Sequence, residues 1–244
     1  SADNNTALGN EALAVNTTGT ENVAVGANAL DANTTAQENT AVGYQALSTN
    51  TTGSQNSAFG RKALLAVTTG SNNTAVGRDA GFAITTGEQN TCIGRSAGNT
   101  TTTGQNNITL GFNAQPVSAT VDDTITLGNS AINTLRCQQT SITGLSDRRD
   151  KTDIEDLSIG LDFVNTLRPR KFTWANRQPN SLDGKTETGF IAQELQSAEG
   201  SIRYLGLVMD ENPEKLEAAP AKLIPVLVNA IKELSAKVTA LEAG

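Results

Sequence analysis

The stretch GLSDRRDKTDI, from Gly144 to Ile154, sets a serine, Ser146, five residues ahead of a lysine, Lys151, on a short charged segment. A serine hydroxyl is a weak nucleophile until a neighbouring base takes its proton. The chain has no histidine, so the usual general base is missing and an uncharged lysine is the side chain able to fill that role. A lysine does so only where burial or nearby positive charge lowers its pKa. Arg148 and Arg149 supply positive charge, while Asp147 and Asp150 act in the opposite sense, so burial on assembly is the step expected to arm the pair. The spacing by itself fits better a serine capping a turn or helix, with Asp147 and Arg149 as a solvated charge pair that positions the loop.

Little else in the chain is suited to chemistry. Cys92 and Cys137 form neither a CxxC nor a metal-ligand spacing, and Cys92 fills a repeat position that is alanine in the preceding units, which predicts a small buried thiol. No metal and no cofactor are expected. The nine acidic residues before Ser146 are scattered, and Asp122 and Asp123 are adjacent rather than opposed, so the paired carboxylates of a polysaccharide-cleaving enzyme are not in evidence. With a net charge of −7 and no long cluster of Lys and Arg, the chain is not expected to bind nucleic acid. No segment approaches the roughly 20 consecutive apolar residues of a membrane span, and the opening SADNNTALGN has neither a basic nor an apolar signal region. A soluble protein without membrane insertion is the expectation.

Charge is unevenly placed along the 244 residues: 9 acidic and 5 basic side chains precede Ser146, and 16 acidic and 13 basic follow from there. Two regions are therefore expected. The first carries a ruler. A glycine preceded by an aliphatic or aromatic residue recurs every 17 residues, at Gly9, Gly26, Gly43, Gly60, Gly77, Gly94, Gly111 and Gly128. Four positions before it stands an asparagine, from Asn5 to Asn107, broken only by Thr124. TTG turns recur on the same period at Gly19, Gly53, Gly70, Gly87 and Gly104, with Ala36 substituting once.

A unit so short, with two glycine turns, fits one coil of a β-solenoid rather than a helical repeat. Each coil is predicted to hold two short strands, one at Asn-Thr-Ala-Val and one around Ala-Leu, with glycines supplying positive φ at the turns. Coils stacked at about 4.8 Å would build a rod on the order of 40 Å long from eight units. Alternation sets the aliphatic before glycine and the Thr two earlier on one face, and Ala7, Ala24, Ala41, Ala58 and Ala75 on the other. The alanine face is read as one closely approached by another rod. The Asn-x-Thr sequences at Asn16, Asn33 and Asn50 are read as turn residues rather than glycan sites.

The pattern NTAVGYQAL followed by NTTGSQN resembles the head repeats of trimeric bacterial adhesins. That resemblance covers about half of the chain and implies a left-handed β-roll packed as a homotrimer, although the period here is longer. The second half resembles the C-terminal intramolecular chaperone of phage tail spikes and tail fibres, the endosialidase-type self-cleaving domain (peptidase S74). It does so through SDRRDK, then PRKFTW (Pro169 to Trp174), GFIAQEL (Gly189 to Leu195) and the final helix-forming stretch. The signature Ser-Asp-x-Arg-x-Lys falls on Ser146, Asp147, Arg149 and Lys151. In that family serine and lysine form a dyad that cuts the chain just before the serine, which implies scission of the Leu145–Ser146 bond here.

From Ile224 the apolar residues run Ile224, Leu227, Ile231, Leu234, Val238 and Leu241, an a/d heptad seam that suits trimerisation. Pro225 is tolerable only in a first helical turn, and Pro220 marks a helix start nearby. The expected organisation is a repeat rod at 1–128, a connector at 129–145, an α+β chaperone and autoproteolytic domain at 146–219 and a coiled-coil helix at 220–244. The resulting expectation is the distal part of a homotrimeric phage tail fibre or spike, a virion protein assembled in the host cytoplasm. Its one catalytic act would be a single self-cleavage, its partner another copy of itself, and its external partner a host cell-surface receptor or glycan. The alternative is a bacterial trimeric surface adhesin head with a permanent C-terminal trimerisation domain.

Overall fold

The structure, a computed structural model, describes residues 2–132, 134–136, 146–175, 183–210, 213–214 and 216–244. Cys137, Leu145 and most of the 129–145 connector lie outside these. The chain divides into two compact units, Ser1–Ile132 and Asn133–Gly244.

The first unit is a β-solenoid of about seven turns. Its strands are β1 (Thr6–Leu8), β2 (Val23–Val25), β3 (Thr40–Val42), β4 (Ser57–Phe59), β5 (Thr74–Val76), β6 (Thr91–Ile93), β7 (Ile108–Leu110) and β8 (Ile125–Leu127), in that order in one parallel sheet. Each side chain sits on its own counterpart in the next turn, as Ala24 on Ala41 and Val25 on Val42. Stacking of like on like lets one hydrogen-bond scheme repeat along the axis. Asn39 donates its backbone N–H to Asn22 Oδ1 at 3.0 Å and its Nδ2 to the Gly53 carbonyl at 2.9 Å. Asn56 and Asn73 repeat both bonds one and two turns on. These amides are fully buried, so the column satisfies itself in place of water. Asn16 and Asn50 each donate Nδ2 to the glycine carbonyl three residues on, closing the TTG turn, and Asn50 is buried.

Three sequence expectations need correction. There is one strand per turn, not two, because the Ala-Leu segment is itself a turn: Gln45 and Leu47 stand at φ 57° and 52°, outside the β region. The cost of holding leucine there, about 1–2 kcal/mol, is offset by complete burial of Leu30, Leu47 and Leu64. Second, the alanine column faces inward. Ala24, Ala41, Ala58 and Ala75 are fully buried within their own chain by those leucines, and the exposed column is the residue before glycine, with Leu8 68% and Phe59 44% accessible. Third, of the two recurrent glycine columns only the strand-end one uses positive φ, Gly43 at 140°. Gly53 is required instead because a Cβ would collide with the Gly70 carbonyl of the next turn.

In the second unit a 3₁₀ turn (Arg148–Asp150) leads to α1 (Leu161–Val164), then the antiparallel pair β9 (Arg170–Thr173) and β10 (Thr186–Gly189), and α2 (Ala192–Glu199). After these come the short antiparallel pair β11 (Val208–Met209) and β12 (Glu217–Ala218), and α3 (Ile224–Glu242). Phe163, Leu195, Leu205, Leu207, Val208, Leu223 and Val226 form its core. No helix among the described residues is long and apolar enough to cross a membrane.

Candidate functional site

One 3₁₀ turn makes the serine and the lysine neighbours. Asp147 is extended (φ −69°, ψ 137°) and caps that turn, its Oδ1 accepting the Arg149 backbone N–H at 2.9 Å. The turn closes when the Lys151 backbone N–H meets the Arg148 carbonyl at 3.2 Å. The chain then leaves extended at Lys151 (φ −133°, ψ 139°). Five residues of backbone have been folded back, and Lys151 Nζ donates to Ser146 Oγ at 2.6 Å.

Arg149 clamps the turn from outside. Its Nη2 lies 2.6 Å from Asp147 Oδ2, and its Nε contacts both carboxylate oxygens at 3.1 Å. The Arg149 side chain and then its backbone N–H hold the Asp147 carboxyl below its usual range, and Asp147 raises Arg149 in return. Arg149 is thus matched to Asp147, which answers its charge, as the charge-pair reading of the sequence had it. Ser146 and Lys151 are both exposed within a single chain. Leu145, on the other side of the expected scissile bond, lies outside the described residues.

Residues 146–203 match the Peptidase S74 family, described as chaperone of endosialidase. This segment is similar to chaperone-of-endosialidase domains. Comparison with curated proteins and with solved structures gives no match.

The matched segment opens on Ser146 and spans the 3₁₀ turn that brings Ser146 and Lys151 together, both β9 and β10, and α2. Two of its motifs are tied to each other: Arg170 of PRKFTW forms a two-pronged ion pair with Glu194 of GFIAQEL, and holds that carboxyl below its usual range. Trp174, which ends the first motif, donates Nε1 to Glu187 of β10 at 3.0 Å and meets Phe172 edge-on with centroids 5.4 Å apart.

Helix α3 follows the matched segment and has two faces. Val226 and Ala230 are buried against the domain core. On the other side Ile224, Leu227, Ile231, Leu234, Val238 and Leu241 are all exposed, Ile231 at 66% and Leu241 at 82%. Pro225 sits in the first turn, where it costs no intrahelical bond. Sequence reasoning missed Asn229 and Glu233. Asn229 Nδ2 donates to the Leu157 and Ile159 carbonyls at 2.9 and 3.1 Å, and Glu233 Oε2 accepts the Leu161 N–H at 2.9 Å. Together they join α3 to the extended chain that runs on from Lys151. Their i, i+4 spacing outside the heptad seam was the available signal, and it reads equally as a solvated face.

Proposed function

We propose that the C-terminal unit is an intramolecular chaperone that assembles three copies of the chain, sets the register of their rods, and then severs itself at Leu145–Ser146. The observation that carries this reading is the 2.6 Å approach of Lys151 Nζ to Ser146 Oγ at the first residue of the chaperone domain. Registering identical coils is hard, because a slip of one repeat leaves most contacts similar. A seam on α3 fixes the register at one end, and folding of the rod from there avoids the entropic cost of bringing free chains together. The exposed apolar stripe from Leu8 to Leu127 supplies the rod's own surface for the neighbouring copies.

In the cleavage step neutral Lys151 takes the Ser146 Oγ proton, and the oxygen adds to the Leu145 carbonyl carbon. The C–N bond to Ser146 breaks as its nitrogen takes a proton. Water hydrolyses the resulting ester, leaving a Leu145 carboxylate and a Ser146 amine. As Lys151 is solvated in one chain, loss of water on assembly is what favours its neutral form, so cleavage follows trimerisation. The rod, freed of its chaperone, cannot retrace its folding path, and its stability becomes kinetic. Charging the seam with Ile231→Asp and Leu234→Asp tests this order. The variant should sediment as a monomer and remain uncleaved; a monomer that still cuts itself contradicts the reading.

A further inference from the structure

The rod is acidic except in one band. No Lys or Arg precedes Arg61, and none stands between Arg95 and Arg136, so four cations (Arg61, Lys62, Arg78 and Arg95) fall within three successive repeats. Asp3, Glu11, Glu21, Asp31 and Glu38 lie before that band, and Asp122 and Asp123 lie after it.

Three of the cations share one column. Arg61, Arg78 and Arg95 each stand two residues after a strand end, at Phe59, Val76 and Ile93, beyond the corner glycine. Like-on-like stacking therefore spaces the guanidinium stems at about 4.8 Å. Such a ladder of like charges repels itself. The same column is neutral in the outer repeats, at Asn10, Ala27 and Asn129, so the solenoid does not need it.

The ladder is buttressed from within the rod. Arg61 lies over the Tyr44 ring at 5.9 Å and Arg95 over Phe112 at 5.2 Å, and both rings are largely exposed. Asp79 pairs with Arg78 at 3.0 Å and with Arg61 at 3.6 Å, while both arginines remain half accessible. Beside the ladder, Arg61, Lys62, Asp79, Phe82 and Asn99 line an open pocket of about 330 Å³. Two cations, an amide, an aromatic ring and the Asp79 carboxylate, itself held by Arg78 and Arg61, thus border a space of single-sugar size.

We propose that this band binds a carboxylated polysaccharide, one acidic sugar seated in the Arg61–Lys62 pocket and its neighbours running along Arg78 and Arg95. Guanidinium forks match carboxylates bidentately. The Phe82 ring suits the C–H face of a pyranose, and Asn99 suits its hydroxyls. The cations span only three repeats, a short track for a phosphate backbone, so carboxylate-matching guanidinium forks rather than bulk charge decide the ligand. The site is independent of the dyad, and its failure leaves the self-cleavage reading untouched.

The test is affinity electrophoresis of the full chain in the Ser146→Ala background, which keeps rod and chaperone together. Gels contain polygalacturonate, dextran or double-stranded DNA. Retardation is expected in polygalacturonate alone, and it should weaken with added salt. The triple variant Arg61→Ala, Arg78→Ala, Arg95→Ala should bind at least about tenfold more weakly, with an unchanged melting curve. A control of equal charge loss, Lys171→Ala, Lys185→Ala, Lys237→Ala, should bind as the parent does. No retardation in polygalacturonate, equal retardation in DNA, or an unaffected triple variant overturns the proposal.

Discussion

Glu233 Oε2 accepts the backbone N–H of Leu161 at 2.9 Å across 72 residues of sequence, and the carboxylate rests where a side chain at Gly160 would stand. The bond fastens the seam-bearing helix α3 to the start of α1. Gly160→Ala forces a Cβ into that carboxylate, which must swing away and give up its bond to the Leu161 N–H. We expect a loss of about 1–3 kcal/mol from the C-terminal unit, read as a drop of several degrees in its melting temperature. An unchanged melt would mean that α3 is not held there.

The asparagine column predicts a different cost in the rod. Asn56 Oδ1 accepts the Asn73 N–H at 2.9 Å, and its Nδ2 serves the Gly70 carbonyl at 2.9 Å. Asn56→Ala strands a buried donor and a buried acceptor, each costing about 1–3 kcal/mol. Denaturant unfolding should show the rod destabilised by about 2–4 kcal/mol. Thr69→Ala, on an exposed side chain in the same repeat, should change it by less than about 0.5 kcal/mol.

Neighbouring positions on β4 should separate the inner face from the outer. Ala58 is fully buried and Phe59 is 44% accessible. Ala58→Leu overfills the turn and should destabilise the rod by about 1–3 kcal/mol. Phe59→Ser should leave a single chain's fold intact and weaken assembly, seen as a concentration-dependent fall in sedimentation coefficient. Assembly unchanged by Phe59→Ser would show that the stripe is not the contact between copies.

Much of this was legible in advance, and the failures have physical causes. Recurrence of Gly43 and Asn39 every 17 residues announces a solenoid because each repeat performs the same geometric task. Alternation then says that Ala58 and Phe59 face opposite ways, but not which way is in. The small residue lies inside because Leu47 and Leu64 already fill the turn. Those leucines were read as a strand, since nothing in a leucine signals the left-handed conformation that Leu47 adopts at 52°. The pairing of Ser146 with Lys151 was visible as a motif, and its geometry depends on the Asp147 cap, whose type and position the sequence displays. The joint between Glu233 and Gly160 was invisible because it links two distant segments through a backbone N–H.

The Asp147–Arg149 clamp should govern the rate of cleavage without shaping its pH profile. The folded value of Asp147 lies below the unfolded one. Its contribution is therefore complete above the ordinary carboxylate value of about 3.9 and disappears only as pH falls through the lowered value. Above that range the carboxylate stays ionised and the clamp is constant, so the pH profile has the same shape with or without it. Asp147→Asn should keep that shape and lower every point about 10- to 100-fold, because the cap no longer places Lys151 against Ser146. An unaltered rate would reduce the clamp to a surface ion pair.

Self-cleavage is the claim on which the rest turns, and intact mass of the freshly expressed chain beside its Ser146→Ala variant tests it most directly. Two fragments are expected from the parent, one ending at Leu145 and one beginning at Ser146, and a single uncut chain from the variant. A parent that stays whole under conditions where it has assembled, or a variant cut at the same bond, contradicts it.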